Sequence, residues 1–390
     1  MTYQPRLIIS PVGISLFLNL LRDDRQRRDR VLQYSNTAAD ALPEDVVEEI
    51  ANLKQQAAIA LHDGNIHQRR RLSAELNGLY GLYGLYSKNT QGQSTFPSND
   101  IHLLVSTDTA LGQAAAEVLR DFLRTQHQQQ VINLTPSGLT TGNIASFTQG
   151  IKSLIKDLDE QIAIYDAKNY EIIFNLTGGF KSLQGYLTVV AMFYADRLVY
   201  IFERSEELLS IPRLPIRLDD DLLRDNAVQL ALMSKAGAVF PVADLTLPEA
   251  LLEVDEYGNA TLSGWGMLLW QRTRDKILAE KLLAFPYLHY EPPFKKDFAN
   301  AEPRERVRLQ ETLAQVSEAL SRSQGDVSVL KQHGGLQYDD YTNHWATYND
   351  KKQRIGHFRV SRALRVSCVF HNGELFLRRF DRDPEVNANP

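Results

Sequence analysis

The chain has 390 residues, 43% of them apolar and 23% charged, with a net charge of −5, so it is long enough for two or three domains and apolar enough to give each a core. That composition excludes a disordered or collagen-like chain. The longest apolar runs, such as Leu187–Tyr194, fall well short of the ~20 residues of a spanning helix, and the opening MTYQPRLIIS lacks the basic and apolar regions of a signal peptide, so a soluble, cytoplasmic protein with no membrane partner is expected.

Arg6–Ser10 predicts a strand, followed by a turn at Pro11–Gly13 and an amphipathic stretch over Ile14–Arg22. Residues 22–93 read as a charged helical insertion, clearest over Glu44–Leu61. It ends in a threefold Gly-Leu-Tyr repeat, Gly78–Tyr86, expected to form a tyrosine-rich loop or interface. Strand and helix patterns then alternate: Ile101–Ser106 with Thr109–Gln126, Val131–Leu134 with Ile144–Leu158, Tyr170–Phe174 with Gly179–Ala195, and Leu198–Phe202 with a hairpin-like Leu208–Ile216. This alternation predicts an α/β doubly wound, Rossmann-like domain over residues 1–217, whose ligands bind beyond the carboxyl ends of the strands.

Residues 218–285 read as a small helical, winged-helix-like connector, with helices over Asp221–Lys235 and Trp265–Leu283 around the acidic turn Glu253–Ala260. Residues 286–390 predict an α+β module. It begins with a strand holding Lys295 and Lys296, continues through a helix over Pro303–Ser321 and a loop with His344, Trp345 and Tyr348, and ends in three strands, His357–Ser361, Leu364–Phe370 and Glu374–Phe380. Asn372-Gly373 between the last two is a hairpin signal, since that pair accepts positive φ. Cys368, the single cysteine, forms no internal disulfide and reads as a packing residue of its strand.

Two groups of residues carry chemistry. The first is the set of strand-end turns: Pro11, Gly13 and Ser15; Ser106, Thr107 and Asp108; and Thr177, Gly178, Gly179 and Lys181. Glycines where a strand enters a helix let backbone amides approach a phosphate, and Lys181 and Thr177 add a cation and a hydroxyl. Phe180 stands where a Walker A loop has its glycine before the lysine, so this is not that motif. Each turn alone is also what the caps of any α/β fold require, but three around one crevice suit a ligand with several phosphates.

The second group is the basic tail. Residues 351–382 hold nine Lys and Arg against Glu374 and Asp381, a surface that attracts phosphates. Cleaving RNA without a metal requires an activated 2′-hydroxyl, stabilised charge at phosphorus and a protonated leaving oxygen. Arg359, Arg365 and Arg379, with His357, Lys352 and Arg382 nearby, supply residues of those kinds. The scattered histidines offer no metal-ligand spacing, so no metal site is expected.

Ser10-Pro-Val-Gly-Ile-Ser15, Ser106–Gly112, Asn175-Leu-Thr-Gly-Gly-Phe-Lys181 and the stretch from Tyr200–Glu203 to Ile211–Pro215 resemble the CARF domains of CRISPR-associated proteins, across residues 1–217. The resemblance implies a homodimer that binds a cyclic oligoadenylate, cyclic tetra-adenylate being the ring suited to a two-fold interface, as allosteric activator and without another cofactor. Phe294–Phe298, the helix Arg304–Leu320 and the strands Gly356–Val360, Leu364–Ser367 and Glu374–Phe380 resemble the RelE-like mRNA interferases. That resemblance implies basic catalytic residues at Arg365 and at Arg378 or Arg379, and mRNA and the ribosome as partners; the tyrosine that many relatives carry does not follow Arg379. The expectation is thus a cyclic-oligoadenylate-activated, metal-independent, ribosome-dependent mRNA endoribonuclease of type III CRISPR antiviral defence. A transcription regulator binding DNA through the connector is the alternative.

Overall fold

The computed structural model describes residues 3–85, 96–201, 207–215, 220–348 and 351–390. Tyr86 and the end of the insertion, Phe202, Glu203, Ile216 and the 217/218 boundary lie outside the described residues. Two compact units divide at Arg217 and Leu218.

The first unit runs through β1 (Arg6–Pro11), α1 (Ser15–Leu20), α2 (Arg25–Gln33), α3 (Glu44–Asp63), α4 (Ile66–Leu72) and α5 (Ala74–Leu82). It continues with β2 (Ile101–Val105), α6 (Ala110–His127), β3 (Gln130–Leu134), α7 (Ile144–Asp166), β4 (Glu171–Asn175), α8 (Lys181–Tyr194), β5 (Arg197–Ile201) and β6 (Leu208–Pro212). The sheet has the order β3-β2-β1-β4-β5-β6, parallel except for β6, which runs antiparallel to β5. It is a mixed α/β unit with a parallel-strand sheet, consistent with a Rossmann-like fold. All five residues of β2 and Leu7, Ile8 and Ile9 of β1 are buried, as central parallel strands covered on both faces must be. Strand order reverses between β1 and β4, and the crevice at such a switch point is the ordinary ligand position.

The insertion is not an appendage. Leu53, Ala57 and Leu61 of α3 and Leu76, Leu79 and Tyr80 of α5 are at most 1% exposed and belong to the core of the first unit. The Gly-Leu-Tyr repeat, expected as a loop, is therefore helical through Leu82. The Tyr83 hydroxyl donates to Asp100 at 3.0 Å, and Asp100 also takes the Arg6 guanidinium at 2.8 Å and the Tyr3 hydroxyl at 2.6 Å. Beside this group His102 is wholly buried, which lowers its pKa to about 4 and keeps it neutral.

The second unit begins with α9 (Asp220–Asp225) and α10 (Ala227–Ala231), then β7 (Phe240–Pro241), β8 (Leu252–Val254), β9 (Asn259–Leu262) and α11 (Gly264–Glu280). After these come β10 (Leu288–Tyr290), α12 (Pro292–Asn300), α13 (Pro303–Arg322), α14 (Ser328–Gln332), β11 (Asp339–Tyr348), β12 (Lys351–Arg359), β13 (Leu364–His371), β14 (Glu374–Arg382) and α15 (Asp383–Ala388). A small β7-β9-β8 sheet accompanies a five-stranded one in the order β10-β14-β13-β12-β11. The expected connector is thus part-strand, and it has no core of its own. Leu223, Leu262 and Trp270 share one buried cluster with Leu309, Leu313, Phe358 and Leu377. Buried Gln310 ties the parts together, accepting from the Leu283 amide at 2.7 Å and donating to the Lys281 carbonyl at 2.9 Å.

Two expectations change here. Lys295 and Lys296 lie in α12 and not in a strand: Pro292 and Pro293 preset the first helical φ angles, and Phe294 and Phe298, one turn apart, bury the same face. His344, Trp345 and Tyr348 lie in β11 and not in a loop. The hairpin at Asn372-Gly373 forms as expected, with φ of 53° and 84°. Among the described residues, no helix is long and apolar enough to cross a membrane.

Candidate functional site

At the switch point of the first unit the turns after β1 and β4 pack backbone to backbone. A Cβ on Gly13 would lie 3.2 Å from the Gly179 Cα, and Gly179 itself has φ of +95°, so both glycines are required by the close approach. The amides of this cradle do not face open solvent. Glu75, from the first turn of α5, inserts its carboxylate: Oε1 accepts from the Gly13 amide at 3.1 Å, Oε2 from the Ser73 hydroxyl at 2.7 Å, and the Gly179 amide also donates to it. The side chain is 1% exposed, and burial raises its pKa against the pull of these hydrogen bonds. Gly178 is small for the same reason, since a Cβ there would meet Glu75 Oε1 at 2.4 Å. The Asn175 amide nitrogen reaches the Glu75 carbonyl at 3.1 Å and Ser10 Oγ at 3.2 Å, closing the inner wall.

The turn after β2 is equally occupied. Ser106 shares a hydrogen bond with Thr135 at 2.8 Å, Thr107 with Thr109 at 2.9 Å, and Asp108 accepts from the Gly138 amide at 2.9 Å, fastening the loop after β3. Of the ten residues expected to meet the ligand, Pro11, Gly13, Ser106, Thr107 and Gly178 are buried, and Gly179 and Asp108 are engaged as described. Of the other three, the Ser15 and Thr177 hydroxyls are buried without a hydrogen-bond partner, and Lys181 is exposed and opens α8 behind an N-cap residue, Phe180, with no capping side chain. Thr177 is half-buried beneath α5. Sequence reasoning missed Glu75 because an isolated glutamate in a charged segment carries no motif.

In the second unit four of the six expected catalytic residues meet on one face of the five-stranded sheet. Cross-strand pairing sets two rows: His357, Ser367 and Arg379 on β12, β13 and β14, and beside it Arg359, Arg365 and Asp381. Lys352 is not among them. Side chains alternate along β12, so Lys352 points to the opposite face from His357. Arg382 pairs with core-facing Leu364 and is exposed at the strand end, outside the rows. A bulge between Ser367 and Cys368 lets Arg379 oppose Ser367 and leaves Arg378 as the extra residue.

The rows are furnished by neighbours the sequence did not flag. Arg365 pairs through Nε with Asp383 of α15, while Asn387 of the same helix bonds both Asp383 and the Tyr341 hydroxyl. Tyr341 stacks on His357 at 4.4 Å between ring centres. Burial raises the Tyr341 pKa to about 12, and burial, then the Arg365 charge, lowers that of His357. The lowered pKa favours the neutral imidazole, whose Nδ1 is buried without a partner. Arg359 Nε is also buried without a partner. Arg379 is tethered: its fork reaches both carboxylate oxygens of Asp297 on α12, at 2.7 and 3.4 Å. Cys368 is buried, as its strand pattern indicated. Among the described residues, no group of three His, Cys, Asp or Glu side chains is placed to hold a metal ion.

The connector offers little to DNA. Along α11, Arg274 pairs with Glu311 and Lys276 with Asp220, and the turn joining β8 to β9 is acidic at Asp255 and Glu256. A cleft of about 520 Å³ between α3 and α6, lined by Ile59, Val118 and Phe122 among others, shares no residue with either site.

Residues 70–214 match the model of the CRISPR-associated protein family Cas_APE2256. The matched stretch begins in α4 and runs past β6, so it takes in Glu75 and the Thr177–Lys181 turn but not β1. This part of the chain is similar to a CRISPR-associated family. No curated protein matches the chain.

Proposed function

We propose that the chain is a metal-independent endoribonuclease, RelE-like in its second unit, that a cyclic oligoadenylate switches on through a CARF-type first unit. The observation that carries the nuclease reading is the adjacent placement of His357, Arg359 and Arg365 on one sheet face, a neutral base beside two guanidiniums. In that arrangement His357 takes the proton of an RNA 2′-hydroxyl. The 2′-oxygen forms a bond to phosphorus as the bond to the 5′-oxygen breaks, and the proton returns to the leaving oxygen, giving a 2′,3′-cyclic phosphate and a 5′-hydroxyl. Arg359 and Arg365 stabilise the charge that builds on the phosphoryl oxygens. Tyr341 holds its proton to about pH 12 and so cannot share the role of base, and substrate held in reactive geometry by the ribosome supplies the rest of the rate.

The sensor reading rests on the similarity to a CRISPR-associated family together with the free groups Ser15, Thr177 and Lys181 around the switch point. Cyclic tetra-adenylate, shared by two copies of the chain, is the ligand of choice. Isothermal calorimetry tests this part. Lys181→Ala is expected to weaken cyclic tetra-adenylate binding by roughly 10- to 150-fold, the effect of one charge-assisted contact, at unchanged melting temperature. Unchanged affinity removes the turn from the site.

A further inference from the structure

The hairpin of β11 and β12 carries a second surface, on the face of the sheet opposite the arginine rows. Trp345 lies across the ladder from Arg354, and Thr347 from Lys352. The Lys352 ammonium is 5.1 Å and the Arg354 guanidinium 5.2 Å from the Trp345 ring centre. Trp345 is 44% exposed, and Lys352 and Arg354 are both exposed. No carboxylate among the described residues pairs with either cation. Elsewhere in this unit Arg224, Lys331, Arg365 and Arg379 each have an acidic partner. Unpaired cations around an exposed indole on an edge hairpin therefore stand apart from the ordinary charged surface. An aromatic face flanked by positive charge suits a base with a phosphodiester on either side.

We propose that this face binds single-stranded RNA, one base stacking on Trp345 and adjacent phosphates meeting Lys352 and Arg354. The idea builds on the ribonuclease reading, since it gives the substrate strand a hold apart from the reacting phosphate. Duplex RNA fits less well, because its bases are already stacked and an indole cannot reach a free base face. An acidic protein surface would use the cations but leave the ring without a partner.

The test uses the full-length chain and a fluorescent 2′-O-methyl oligouridylate, which cannot be cleaved, so binding is read whether or not the chain proves to be a nuclease. Fluorescence anisotropy is expected to show Trp345→Ala weakening binding by roughly 5- to 150-fold, the range of a base–aromatic stack. Trp345→Phe, which keeps a ring, should stay within about threefold of the parent, and a duplex of the same length should bind both variants and the parent alike. Equal affinity of Trp345→Ala and the parent overturns the proposal. So does a loss in Trp345→Phe as large as that in Trp345→Ala, which would assign the ring to hairpin packing, or a duplex that depends on Trp345 as the single strand does.

Discussion

Arg365→Ala is expected to lower RNA cleavage at least a hundredfold and to leave the affinity for cyclic tetra-adenylate as it was. Arg365 sits mid-sheet, between Arg359 and Asp381 in its row and two residues from Ser367 on the same face. Asp383 takes its Nε, which fixes the plane of the guanidinium and leaves the two terminal nitrogens to meet phosphoryl oxygens. A preorganised donor of that kind is worth about 10²–10³ in rate. The folding cost is small by comparison. The Arg365 and Asp383 side chains are 17% and 32% exposed, and a pair this close to solvent contributes about 1 kcal/mol or less. Thermal unfolding should thus move little while the rate collapses, and ligand affinity should hold because the residues proposed to bind the ligand all lie in the other unit. Loss of cleavage equal in Arg365→Ala and Asp383→Ala, with matching falls in melting temperature, would instead make Arg365 an anchor for α15.

Glu75→Ala costs the first unit about 3 kcal/mol and opens an anion site that the parent lacks. The substitution strips the Gly13 and Gly179 amides and the Ser73 hydroxyl of their acceptor in a place closed to solvent, and each unsatisfied group costs about 1–3 kcal/mol before relaxation. For a unit of this size that is a fall in melting temperature of roughly 6–12 °C. Glu75→Gln keeps an acceptor and should fall by less. The two backbone amides left behind are aimed at one point, so millimolar inorganic phosphate should restore part of the stability of Glu75→Ala and none of the parent's. Scanning calorimetry with and without phosphate reads both effects. An equal phosphate response in parent and variant would show that the cradle never held the carboxylate.

The parallel sheet was legible because its strands are short apolar runs between amphipathic helices, a pattern that burial on both faces imposes on the residues themselves. The glycines of the β1 and β4 turns were legible as a close backbone approach, but what they approach was not. Gly13, Gly178 and Gly179 accommodate Glu75, a residue more than sixty positions from the first of them and a hundred from the others, and nothing local marks a side chain that acts through a tertiary contact. The same limit hid Asp383 and Asp297 behind Arg365 and Arg379. Strand alternation puts Arg359, Arg365 and Arg379 on one face, and the even position of Lys352 on β12 puts it on the other. β11 is not legible in the sequence because none of its residues from Asp339 to Tyr348 is fully buried, and its alternation is only between half-buried and exposed positions. Lys295 and Lys296 went into a strand because the two prolines before them were not weighed as a helix start.

The central claim is that a cyclic oligoadenylate turns on RNA cleavage by the cluster in the second unit. Mapping 5′-hydroxyl ends on mRNA in a purified translating-ribosome system, with EDTA-treated protein at a magnesium level the ribosome needs, tests it most directly. Cleavage that appears with cyclic tetra-adenylate, is absent without it, is lost in Arg365→Ala and is far slower on free RNA is the predicted result. No new ends with any cyclic oligoadenylate, or cleavage that persists unchanged in Arg365→Ala, would contradict it.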